Sequence, residues 1–577
     1  MNKDKWIDNL LGKMNIDQKV GQLMVFGFCG TSITPDVIEM IKKYHIGGLR
    51  ISNRLRCLTL LNDIKPGELP DESTRRSIIN PYGKNRDYSL IDKCTSASAG
   101  EYAGVLNKLR TFAMERELSI PLHFTVDQEG NGNDDMLYGQ RLFPGPMALA
   151  SGGDTDLVYR TALAIGKQMN ALGVNMMHSP CLDVNTNPKN PEIAHRAYAD
   201  NADDVTKYAL ATLKGFQKTK IIATGKHFPG RGESETDSHF GLPIVNLNYE
   251  TLLKNHVAPY KELIKAGLPA IMIAHSCYPA LGVKGIPAGM SKELINNFLR
   301  GELEFNGVIT TDNMTMGGIL KQYEMSDAII KMLEAGCNLI LMRDESPIRI
   351  KIIENVIDAV KNGKLSENLI DDSVKRILAM RWDMGIAENG GIVHPSYADS
   401  VINDKLIITT AKEAAEKCIT VLRDKEKLLP LKPENKILLV EQIHHTHLEA
   451  NNFYCHPGML WEEMCEFSQN VDSVEISASP SEEEKNRVCL RLIMENYETI
   501  VFTNYYDHKS ASNYCDLIIE LYKTNKKIIL VSNTIYELTN PPEISTVIVV
   551  GTPAGRENLK AAAELLFGKT QFVTKEK

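Results

Sequence analysis

The sequence predicts an α/β protein in which a (β/α)8 barrel is followed by an open parallel αβα sandwich. Three observations lead there. Apolar runs recur at 23–28, 46–51, 122–127, 174–183, 221–227, 270–275, 307–312 and 338–342, each followed by a stretch long enough for a helix. The runs are near-continuously apolar instead of alternating, as strands of a parallel sheet buried on both faces must be. Beyond about residue 420 a second series of short apolar runs begins, at 437–440, 499–503, 528–531 and 547–550, again alternating with helical stretches.

In chain order, residues 4–20 read as one helix ending before Gly21. Helices are expected at 156–172, 203–217 and 249–266 between strands, and at 347–362 and 366–384 where the barrel closes. The stretch 54–100 breaks the rhythm with mixed polar sequence and Pro66, Pro70 and Pro81. It leaves the end of the second strand, so it reads as a rim shaping substrate access or as a surface insertion without consequence. The Gly-rich segment 385–395 marks a boundary. This divides the chain into a barrel over 1–390 with an insertion at about 54–100, a linker and connecting helix over 391–420, and a sandwich over 421–577. Helices are expected at 404–418, 482–495 and 513–522. No Gly-rich phosphate fingerprint follows the first sandwich strand, so no nucleotide site is expected there.

Composition narrows the function classes. With 43% hydrophobic and 24% charged residues, the 577-residue chain has the make-up of an ordinary globular protein. A net charge of -8 without a basic block argues against a nucleic-acid or anionic-membrane surface. No apolar run reaches the length of a membrane span, and the N-terminus lacks the hydrophobic core of a secretory signal. Eleven cysteines lie scattered without a CxxC pair. A reducing cytoplasm is the expected compartment.

Five of the eight predicted barrel strands end in residues able to do chemistry: Asp127, Asp183, Lys226 and His227, His275, Asp312. In a barrel these ends meet on one face. After 221–227 the chain turns polar and Gly-rich, and carries Asp237 and His239 two residues apart. In an extended loop both would leave the same side, so that the carboxylate fixes the imidazole tautomer and raises its basicity. Asp312 ends its strand as a nucleophile, base or ligand, or as the N-cap of the next helix. A nucleophilic carboxylate plus a proton donor is the minimal equipment for retaining glycosyl transfer.

Lys226-His227-Phe228-Pro229-Gly230 with Asp237-Ser238-His239 resembles the signature of family 3 glycoside hydrolases acting on β-linked N-acetylglucosamine. So do Val126-Asp127-Gln128-Glu129-Gly130, Pro180-Cys181-Leu182-Asp183-Val184-Asn185 with Arg196, and the strand ending at Asp312. The likeness covers nearly the whole chain. It implies that Asp312 is the nucleophile, that His239 held by Asp237 is the acid/base, and that Asp127, Arg196, Lys226 and His227 hold sugar hydroxyls. Lys226 and His227 are also readable as a structural ion pair. The implied enzyme is a retaining exo-β-N-acetylglucosaminidase working without metal or cofactor, on cell-wall or chitin-derived fragments. A neutral imidazole as the base does not repel an incoming anion, so phosphate is also admitted as acceptor. Alternatives are a β-glucosidase or phosphorolytic variant of the family, or a silent sugar-binding protein.

Two departures from the family pattern stand out. Asn131-Gly132-Asn133-Asp134-Asp135 replaces a positively charged stretch, and Arg231 stands where histidine is frequent. Neither is expected to touch the chemistry. His444, His445 and His447, and the pair Cys455-His456, read as loop residues more than as metal ligands. His275 either lines the pocket or is a satisfied core histidine. The sequence assigns no oligomeric state.

Overall fold

The computed structural model describes residues 2–53, 97–137, 139–343, 345, 348–444, 447, 455–506, 515–524, 526–537 and 539–569. Most of the 54–100 insertion, the helix start at 513–514 and His445 lie outside the described residues.

Eight parallel strands form the first sheet: β1 (Met24–Cys29), β2 (Gly48–Ser52), β3 (His123–Val126), β4 (Met176–Met177), β5 (Ile222–Phe228), β6 (Ala270–Ile273), β7 (Val308–Thr311) and β8 (Ile340–Met342). Neighbours run β7-β6-β5-β4-β3-β2-β1-β8. The parallel bridge between Thr310 and Leu339 joins the two ends and closes the cylinder. All eight runs read from the sequence therefore become strands, each buried along nearly its whole length. The longest expectation, 174–183, shrinks to Met176–Met177: Pro180 has no N–H to give the ladder, though the Ser179 and Pro180 carbonyls still accept from Thr224 N–H at 2.9 Å and Lys226 N–H at 3.1 Å. Beyond it the chain still follows β5 by the bridge from Cys181 to Lys226.

Helices fall where apolar spacing put them: Thr155–Leu172, Ala202–Gln217, Ile348–Lys361 and Glu367–Asp383. The helix expected over 4–20 is two, Lys3–Leu11 and Ile16–Gln22. Asn15 restarts the second through a capping box with Gln18, a local signal that periodicity alone overlooks. The helix expected over 249–266 holds a π-helical turn at Leu252–Val257.

The second sheet is ordered β11-β10-β12-β13-β14-β9, from β9 (Thr420–Asp424), β10 (Ile437–Ile443), β11 (Val471–Ser477), β12 (Thr499–Asn504), β13 (Lys527–Ser532) and β14 (Thr546–Val549). Five strands are parallel and β9 runs antiparallel to β14 at one edge. Edge strands β9 and β11 escape an apolar-run reading because only part of each is buried. On β10, Ile437 and Leu439 pack into one apolar layer and Leu438 and Val440 into the other, so helices cover both faces.

This sheet's strand ends lean on the rim of the barrel. Asn533 donates from Nδ2 to Asn131 Oδ1 at 3.0 Å, and the Tyr506 hydroxyl donates to the Pro191 carbonyl. Gly145 N–H donates to the Gly551 carbonyl at 3.0 Å. The loops after β3 and β4 are thus held from outside the barrel. Among the described residues no helix is long and apolar enough to cross a membrane.

Candidate active site

The strand ends gather a nearly dry ionic cluster. Lys226 Nζ lies 2.8 Å from Asp127 Oδ1 and also pairs with Glu129. Arg50, from within β2, pairs with Asp127 and lies 2.9 Å from Asp135 Oδ2. Arg196 grips Glu129 with two parallel bonds of 2.9 and 3.0 Å, the fork geometry that suits guanidinium and carboxylate. Burial would push the Asp127 carboxyl up, but the Lys226 and Arg50 charges hold it well below the usual carboxylate range. Glu129 is held down to about 2 against the same burial, by Arg196 and Lys226. Asp127 is the more open of the two, at 20% side-chain exposure against 1% for Glu129, so it is the carboxylate a ligand can reach.

Beside this cluster, buried Asp183 orders the start of the next loop. It accepts from His227 N–H at 3.1 Å, from His227 Nδ1 at 2.7 Å and from Arg231 N–H at 2.7 Å. Nδ1 must therefore carry the hydrogen, which turns His227 Nε2 into the site, 3.4 Å from Arg196 and 3.9 Å from Asp312 Oδ2. Burial and the Arg231 charge lower the proton affinity of His227, outweighing Asp183.

Asp312 directly follows β7. Its Oδ1 accepts the Asn313 N–H at 2.7 Å, and its Oδ2 is buried without a hydrogen-bond partner, 3.4 Å from Arg231. Burial pushes this carboxyl up, but the Arg231 guanidinium leads the opposing effects and keeps it ionised far below the usual range. His275 donates from Nε2 to the Asn313 carbonyl at 3.2 Å, and burial lowers it to about 4. It is a neutral prop for the Asp312 segment.

Asp237 and His239 are not in an extended loop. The chain turns tightly, so Asp237 Oδ1 takes both the His239 N–H at 2.8 Å and His239 Nδ1 at 2.7 Å. Nε2 is left as the titrating atom. Burial lowers the proton affinity of His239, but Asp237 and then Glu192 outweigh it and the net shift is upward. The turn is tied to the segment after Asp312: Gly317 and Gly318 N–H groups donate to the His239 and Ser238 carbonyls at 3.0 Å each. A Cβ on Gly317 would stand 2.5 Å from the His239 carbonyl oxygen, so only glycine permits this approach.

The seven residues to which the family resemblance gives a role, Asp312, His239, Asp237, Asp127, Arg196, Lys226 and His227, lie at this one end of the barrel or on the loops above it. Arg231 overturns an expectation. It touches the proposed chemistry directly, because the turn after Pro229 carries its side chain inward between Asp312 and Glu192. Arg50, Glu192 and His178, whose Nδ1 lies 3.4 Å from Asp127 Oδ1, carry no role in the sequence reading. A lone arginine inside an apolar strand was the available signal for Arg50; Glu192, in an irregular loop, had none. Cys181, Asp183 and His227 crowd together, as do Glu192, Asp237 and His239. Their polar atoms are already engaged with one another and with Arg231 and Ser238, so neither trio is assigned as a metal centre. His447 donates from Nε2 to the Pro553 carbonyl at 2.6 Å within the sandwich, and it is buried and helical where a loop residue was expected.

A barrel with carboxylates and imidazoles converging on its strand ends, backed by a sandwich domain, can set a nucleophile and a proton donor over one substrate. Residues 15–380 match the family described as "Glycosyl hydrolase family 3 N terminal domain", and the chain belongs to glycosyl hydrolase family 3. It is 31% identical over 365 residues to beta-hexosaminidase A of Pseudoalteromonas piscicida, a match spanning 58% of this chain and 60% of that one. It is 26% identical over 441 residues to a beta-N-acetylglucosaminidase/beta-glucosidase of Cellulomonas fimi, spanning 74% of this chain and 68% of that one. Among solved structures, a family 3 beta-N-acetylglucosaminidase from Paenibacillus sp. str. FPU-7 superposes with a TM-score of 0.81 at 28% identity, covering 97% of this chain and 98% of that one.

Proposed function

We propose that the protein is a retaining, exo-acting β-N-acetylhexosaminidase that removes terminal β-linked N-acetylglucosamine. In the first step an Asp312 oxygen bonds to C1 of the sugar as the C1–O bond to the leaving group breaks. The Nε2 proton of His239 passes to the departing oxygen. In the second step the now neutral His239 takes a proton from water as that water bonds C1 and releases Asp312 as the carboxylate. Asp127, Lys226, Arg196 and His227 bind the sugar hydroxyls, with Asp127 the most open acceptor. The observation that carries this reading is the tie between an ionised carboxylate at the end of β7 and an aspartate-steadied imidazole, made by Gly317 and Gly318. The names of the Pseudoalteromonas and Paenibacillus relatives favour N-acetylglucosamine, while the Cellulomonas name carries glucose as well.

The same reading divides the chain into a barrel over 1–390, a connector over 391–420 and a sandwich over 421–577, and puts the enzyme in the cytoplasm, acting on cell-wall or chitin fragments. A panel of 4-nitrophenyl β-glycosides, with and without phosphate, tests it. N-acetylglucosaminide turnover that exceeds glucoside turnover, and that Asp312→Ala abolishes while leaving the fold intact, is the expected result. Glucoside preference assigns the β-glucosidase alternative, a sugar phosphate product the phosphorolytic one, and sugar binding without turnover a silent protein.

A further inference from the structure

Between the nucleophile and the acid/base lies a buried bridge of opposite charges. One guanidinium nitrogen of Arg231 is 3.4 Å from Asp312 Oδ2 and donates to the Ser238 hydroxyl at 2.6 Å; the other is 2.7 Å from Glu192 Oε1. Glu192 accepts the Ser238 N–H at 3.1 Å, and its Oε1 stands 3.5 Å from His239 Nδ1. Glu192, Arg231 and Ser238 are all at most 2% exposed, so water screens the Arg231 and Glu192 charges only weakly. Among the described residues, the charged groups that act most strongly on His239 are Asp237 on its own turn, Glu192 from the loop after β4 and Arg231 from the loop after β5.

A guanidinium keeps its charge throughout, so what changes during turnover is how that charge is shared. While Asp312 is an anion, Arg231 is divided between two carboxylates. Glu192 then keeps negative potential on the Nδ1 side of His239, favouring the imidazolium needed to protonate a leaving group. Once Asp312 is a neutral ester, Arg231 is left to Glu192 alone. The imidazolium loses that support just when a base is needed.

We propose that Arg231 and Glu192 are positioning residues that couple the proton affinity of His239 to the charge on Asp312, switching it from acid to base within one catalytic cycle. The inference rests on the assignment of Asp312 and His239 made above. It differs from the direct field of Asp312 on His239 in requiring the Glu192 carboxylate.

The test is an NMR titration of the His239 ring in the full chain. Asp312→Asn serves as the neutral stand-in for the ester. It should lower the His239 pKa by about one unit, the size expected for loss of a nearby charge. In the Glu192→Gln background the starting pKa should already be lower, and the further shift caused by Asp312→Asn should fall to less than half. Arg231→Met should reduce that shift in the same way, and serves should Glu192→Gln fail to fold. Asp237→Asn, which leaves the bridge intact, should lower the pKa yet keep the full shift. An equal Asp312→Asn shift with and without Glu192, or with and without Arg231, overturns the proposal. The titration needs no turnover, so a protein inactive on the glycoside panel defeats the functional assignment while leaving this measurement interpretable.

Discussion

Gly317→Ala should separate Asp312, the proposed nucleophile, from His239, the proposed acid/base, without altering either. The added Cβ would meet the His239 carbonyl oxygen at 2.5 Å, where ordinary contact begins at 3.4 Å, so the turn must retreat by about 0.9 Å. The obstructing atom is backbone, so no rotamer change relieves it, and the 3.0 Å bond from Gly317 N–H to that oxygen lengthens or breaks. A misplacement near 1 Å costs roughly 100-fold in rate, about 2.7 kcal/mol of barrier. Overpacking of this kind costs about 1–3 kcal/mol of stability, a fall of a few degrees in Tm. The signature lies in leaving groups. An aryl glycoside with an acidic phenol needs little proton assistance, whereas a disaccharide needs it fully. The kcat for the disaccharide should therefore fall roughly 100-fold and that for a 2,4-dinitrophenyl glycoside far less. Gly104→Ala, with nothing within 4 Å of its Cβ, is the control and should leave both rates unchanged. Equal losses on the two substrates, or none on either, would refute the claim that the Gly317 approach sets the position of His239.

Other outcomes follow from the charges. Lys226→Met leaves the Asp127 and Glu129 carboxylates buried without their shared cation, and breaking such a pair should cost about 3–5 kcal/mol, read by thermal or denaturant unfolding. The same variant should raise KM more than it lowers kcat if Asp127 is a sugar-binding group. The pH profile carries a sign: His239 is raised above its ordinary value, so its acid form is present below the raised pKa and kcat/KM falls as pH climbs through it. Asp237→Asn removes the larger of the two raising influences and should move that alkaline limb to lower pH by about one unit. An unmoved limb would show that another group titrates there.

Much of this architecture could be read before any coordinates. A strand buried on both faces has to be apolar throughout, so β1 to β8 stand out from their surroundings. A barrel sends every strand end to one face, so Asp127, Asp183, Lys226, His227, His275 and Asp312 were candidates by topology alone. The signals that failed were those of partial burial or of irregular backbone. Half-exposed β9 and β11 carry no apolar run, and the capping box at Asn15 divides a helix that periodicity joined. The Asp237–His239 pairing was anticipated, but through an extended face when a tight turn provides it.

The chain's own order of residues determined the fold class and the barrel end where the candidate residues gather, because burial periodicity and strand-end position are local properties; the roles proposed for Asp312 and His239 came from the family resemblance instead. Only the tertiary structure decided who neutralises whom. Arg50 reaches Asp127 across 77 positions, Glu192 reaches Ser238 across 46, and Arg231 turns inward to face Asp312. Such partners are chosen by the electrostatics of a dry interior, where each charge must find its opposite among whatever the fold brings near, and no spacing along the chain records that choice.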